Sequence, residues 1–69
     1  MSENLVEKIL LYMQTSGADI MPLKTRTIAD AMGISVYRAR YYLYELQSQA
    51  LIESDNAGRG QSLHWRLIR

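Results

Sequence analysis

Residues 37–44 bring together Tyr37, Arg38, Arg40, Tyr41, Tyr42 and Tyr44, four phenols and two guanidinium groups in one short stretch. An arginine fork donates to guanine O6 and N7 or to phosphate oxygens. Tyrosine hydroxyls donate to phosphates, and hydrogen bonds of that kind position a protein on a duplex. The same residue types also anchor protein–protein interfaces, so a nucleic acid and a protein partner both remain open at this point. At about 100° per helical residue, Tyr37, Tyr41, Tyr44 and Ser48 fall on one side, flanked by Arg38 and Arg40. Ala39, Leu43, Leu46 and Ala50 take the opposite, core-facing side, with Val36 and Tyr42 at its edges. Tyr41 and Tyr42 point about 100° apart, so the first is assigned to the surface and the second to the core.

The elements around this stretch are those of a helix-turn-helix. Gly33 supplies a left-handed turn after one short helix, and the Ser35 hydroxyl can cap the next. The spacing predicts a helix over residues 36–49 preceded by one over 26–32, with Thr25 as its cap and Ile28, Ala29 and Met32 as its buried stripe. The second helix of such a pair enters the major groove with its N-terminal end leading. Its first turn carries Arg38 where the helix dipole favours an acid, a cost that a bound anion such as a DNA phosphate relieves. Ser35, Tyr37, Arg38, Arg40, Tyr41 and Tyr44 are therefore the candidate DNA-contact residues on this element.

Upstream, Leu5, Val6, Ile9, Leu10 and Met13 recur at helical spacing and predict an amphipathic helix over 3–15, capped by Ser2 and ended by Gly17. Leu23-Lys24 can add a very short edge strand. Downstream, residues 51–54 read as a strand and the turn 55–60 is rich in residues that tolerate positive φ. Leu63, Trp65 and Leu67 then alternate with His64, Arg66 and Ile68, a second strand with one apolar face. The fold class is α+β, mostly helical: a winged helix-turn-helix of three helices and a C-terminal β-hairpin, in one domain spanning 1–69. Arg59, between Gly58 and Gly60, sits at the hairpin tip, where an arginine can follow a phosphate or enter a narrow minor groove. Lys24, Arg26, Arg66 and Arg69 are weaker phosphate candidates.

Composition narrows the classes further. A chain of 69 residues buries only about 60% of its unfolded surface, so every apolar stripe counts toward stability. With no cysteine, disulfides and thiolate metal sites are excluded. His64 is the one histidine and occupies an outward strand position, which assigns it to the surface rather than to catalysis or metal binding. No glycine-rich loop opens a helix after a strand, so a nucleotide-phosphate site is absent. The expectation is a non-enzymatic protein without cofactor, metal or small-molecule ligand. No apolar run of about 18 residues and no leader pattern occurs, which predicts a soluble, cytoplasmic chain without a membrane partner. Net charge is only +1, but Arg59, Arg66 and Arg69 fall in a C-terminal stretch, 56–69, that holds no acid.

The run 37–46, with Lys24 to Asp30 upstream and Asn56 to Gly60 and Trp65-Arg66-Leu67 downstream, resembles the FaeA/PapI-like family of fimbrial transcription regulators. That resemblance covers nearly the whole chain and implies a bacterial winged-helix protein controlling pilus operon transcription. It further implies double-stranded DNA of a fimbrial promoter region as partner, with a leucine-responsive regulatory protein as a second DNA-bound partner at methylatable GATC sites. Carried over by position, DNA contact would fall to Tyr37, Arg38, Arg40 and Tyr41, with Arg59 on the wing. The alternative, from the residues alone, is a protein-interaction module that uses the Tyr/Arg face without touching DNA.

Overall fold

The computed structural model describes residues 4–55 and 63–68. Its elements run α1 (Leu5–Thr15), β1 (Leu23–Lys24), α2 (Thr25–Met32), α3 (Val36–Ser48), β2 (Ile52–Asp55) and β3 (His64–Leu67). The three strands form one antiparallel sheet in the order β1-β3-β2. Registers pair Leu23 with Trp65 and Lys24 with His64 on one side of β3, and Ile52 with Leu67 through Asp55 with His64 on the other. Beyond Asp55, the expected turn 55–60 lies outside the described residues.

All three helices end by the same device. Ala18, Ile34 and Leu51 each donate a backbone N–H to the carbonyl five residues back, on Met13, Ala29 and Leu46. Gly17, Gly33 and Ala50 each donate to the carbonyl three residues back, on Gln14, Asp30 and Gln47. This pair of bonds is the Schellman motif, and it needs a left-handed residue at the position just named. Gly17, Gly33 and Ala50 supply it, at φ of 73°, 71° and 63°. Ala50 is the one residue of the three that has a Cβ, so its backbone is strained where the glycines are not. The motif also overturns the placing of Ala50 on the core face. Because α3 ends at Ser48 and the chain reverses at Ala50, that residue is exposed.

The helix starts depart from expectation at two points. Ser2 lies outside the described residues; α1 is capped by Asn4, whose side chain accepts from the Val6 N–H at 3.0 Å, and begins at Leu5. Thr25 does not cap α2 but is its first helical residue, and its side chain is buried. The Trp65 indole N–H donates to Thr25 Oγ1 at 2.7 Å, and that hydroxyl donates to the Leu63 carbonyl at 3.3 Å. A buried indole N–H without an acceptor would cost about 1–3 kcal/mol, against about 1 kcal/mol for a typical helix cap. Ser35 behaves as expected, accepting the Arg38 N–H at 3.1 Å.

The core joins Ile9 and Met13 of α1, Ala18 of the following loop, Ile28 and Ala29 of α2, Ala39, Leu43 and Leu46 of α3, and Ile52 and Trp65 of the sheet. Trp65 sits at its centre, fully buried, with Tyr44 meeting it edge-on at 5.5 Å between ring centroids. Because β1 pairs on its far side, β3 is the middle strand. Neighbouring strands on both sides leave His64 half-buried rather than fully exposed, while the Arg66 side chain still reaches solvent.

A candidate nucleic-acid interface on helix three

The packing just described fixes one side of α3 and leaves the other to solvent. Tyr37 is 82% exposed and Tyr41 67%, the highest values among the tyrosines, and both lie in the first half of the helix. Burying such large rings in contact with a partner is favourable, and leaving them in water is not, so this face has the character of a binding surface. Arg38 stands beside them. Its backbone N–H is held by Ser35, and its Nη2 donates to Tyr42 Oη at 3.2 Å. Tyr42 in turn meets the Tyr41 ring edge-on at 5.4 Å.

Tyr42 therefore does more than fill the core edge to which its helical position assigned it. Its half-buried ring packs against the core, while its hydroxyl reaches the guanidinium one turn earlier. The signal was present as an i, i+4 spacing, which brings side chains together on a helix. Tyr41 and Tyr42 touch, so their separation around the helix does not prevent them from acting jointly.

The remaining candidates divide. Tyr44 is half-exposed but leans on Trp65, which ties it to the sheet. Ser48 Oγ donates to the Glu45 carbonyl at 2.6 Å and finishes the helix. Arg40 faces away from Arg38 and, with Lys24 and Arg26, lines a cleft between the start of α2 and α3. Arg66 lies 3.8 Å from a Glu53 carboxylate oxygen across the sheet, an exposed pair that contributes little to stability. Arg59 and Arg69 lie outside the described residues. No acid occupies the first turn of α2 or of α3. Among the described residues, no group of three His, Cys, Asp or Glu side chains could hold a metal ion, and no helix is long and apolar enough to cross a membrane.

A helix pair joined by a left-handed Gly33, with its second helix exposed along one face and a three-strand sheet closing the core, defines a winged helix-turn-helix protein. Solved structures of the zinc-responsive MarR family member ZitR of Lactococcus lactis share this fold. They include a cysteine-to-serine mutant of ZitR in complex with DNA, with a TM-score of 0.76 and 25% identity, and another ZitR structure with 0.75 and 23%. Each comparison covers 99% of this chain and 44% of that one, so the chain spans less than half the length of ZitR. The family model described as FaeA-like protein matches residues 5–69, and the chain belongs to that family. Among its relatives in Escherichia coli is the major pilus subunit operon regulatory protein, 31% identical across 97% of this chain and 82% of the relative. Another is the Dr hemagglutinin AFA-III operon regulatory protein AfaF, 35% identical across 67% of this chain and 54% of its own length. The relatives are regulatory proteins, not enzymes.

Proposed function

We propose that this chain is a cytoplasmic, DNA-binding regulator of fimbrial operon transcription, with the N-terminal half of α3 entering the major groove. The observation that carries this reading is the front of α3 itself. Tyr37 and Tyr41 are exposed, Arg38 is held between Ser35 and Tyr42, and the first helical turn has no acid. Arg38 is the residue best suited to a guanine edge, because the Tyr42 hydroxyl gives its guanidinium a partner on the exposed face of α3. Membership of the FaeA-like family and the operon-regulator names of the relatives support the fimbrial assignment. The ZitR structures with DNA support duplex binding by this fold.

A single module of this kind buries only about 600–1,000 Å² on a duplex, and a net charge of +1 adds little non-specific attraction. Binding alone is accordingly weak and salt-sensitive. A second DNA-bound protein raises occupancy by making the complex bivalent, and a leucine-responsive regulatory protein is the partner we assign to that role.

The test is a gel-shift titration of wild type and Arg38→Ala on a fimbrial promoter fragment. The substitution is expected to cost about 1–3 kcal/mol, roughly 5- to 150-fold in affinity, and to relax sequence preference. Unaltered DNA binding in this variant, accompanied by loss of a protein partner, would favour a protein-interaction module instead.

A further inference from the structure

We propose that Lys24, Arg26 and Arg40 form a cleft that grips the phosphodiester backbone of one DNA strand, separate from the ridge of Tyr37, Arg38 and Tyr41. The inference rests on the DNA-binding reading and divides its labour. The ridge faces base edges, and the cleft supplies charge without regard to sequence.

Three elements converge on the cleft, so no single helix or strand carries it. Lys24 ends β1, Arg26 is the second residue of α2, and Arg40 comes from the first half of α3. Arg38 and Arg40 are two residues apart, about 200° around the helix, and this separates their partners. Arg38 reaches forward one turn to the Tyr42 hydroxyl, whereas Arg40 lines the cleft beside the start of α2. The cleft has a volume of about 220 Å³, and its described lining is completed by Thr25, Val36 and Leu63.

The chemistry of that lining is one-sided. No acid is among the described residues that line it. The Thr25 hydroxyl is committed to the Trp65 indole and the Leu63 carbonyl, and Val36 and Leu63 are apolar and half-buried. The cleft also opens at the start of α2, which has neither a side-chain cap nor an acid in its first turn. The positive end of the helix dipole therefore adds to three positive charges instead of offsetting them. Like charges gathered this way repel, and an anion seated among them removes the repulsion.

The ligand class is a phosphate monoanion of the kind each DNA linkage presents. A free phosphate ion offers the same chemistry, so the experiment must distinguish them. Binding of labelled duplexes, one from a fimbrial promoter and one of scrambled sequence, is followed by fluorescence anisotropy over a range of salt concentrations. Lys24→Ala, Arg26→Ala and Arg40→Ala are each expected to lower the slope of log affinity against log salt by about 0.9, equally on both duplexes. Arg40→Lys should keep the wild-type slope, which separates loss of charge from loss of fold. Unchanged slopes in all three alanine variants, with wild type still binding, overturn the cleft alone. Failure of wild type to bind either duplex overturns the DNA-binding reading and the cleft together. Inorganic phosphate that shifts the amides of residues 24–26 and 40 without competing with duplex would mark a free-anion site and overturn the backbone assignment.

Discussion

Two aromatic groups along α3 use similar residues for opposite ends. Toward the sheet, Trp65 is fully buried, its indole N–H satisfied by Thr25 and its ring met by the half-exposed Tyr44. In front, Tyr37 and Tyr41 lie open to solvent, and the Tyr42 hydroxyl beside them is used to hold Arg38. The difference is in where the polar atoms go. A ring whose polar handle is consumed internally stabilises the fold, whereas rings that leave their handles in water have interaction capacity left for a partner.

The comparison breaks most visibly at Trp65. Trp65→Ala removes the largest buried side chain and leaves a cavity between the sheet and α3. A loss of about 3–5 kcal/mol is expected in urea unfolding, enough to unfold much of a domain this small. Tyr42→Phe sharpens the contrast by taking away only the hydroxyl that holds Arg38. Its stability should stay within about 0.5 kcal/mol of wild type. Preference for promoter over scrambled duplex should fall roughly three- to tenfold, about 1 kcal/mol, as Arg38 loses its fixed position. A purely structural role for Tyr42 would instead leave that preference intact. The smallest effect belongs to a helix end that takes no part in either group. Ala50→Gly relieves a left-handed backbone and should raise stability by about 0.5–1 kcal/mol, read as an upward shift in Tm with DNA affinity unaltered.

Local pattern was enough to read the helices, the Gly33 turn, the Ser35 cap and the tyrosine ridge, because each depends on residues within a turn or two. Most of what escaped that reading depended on distant partners, with the local reversal at Ala50 the exception. Thr25 looks like a cap until Trp65, forty residues later, is seen to need an acceptor. His64 looks exposed until β1 makes β3 the middle strand. Ala50 continues the apolar period of α3 on paper, but the chain has already reversed there. Arg40 reads as part of the ridge, and only the packing of α2 against α3 brings it beside Lys24 and Arg26.

The claim on which the account turns is that the front of α3 meets the duplex. Amide chemical shifts recorded during titration with a fimbrial promoter duplex test it most directly. The account predicts the largest changes at Tyr37, Arg38 and Tyr41, with Leu43, Leu46 and Ile52 nearly still. Binding that leaves the three front residues unmoved would contradict it.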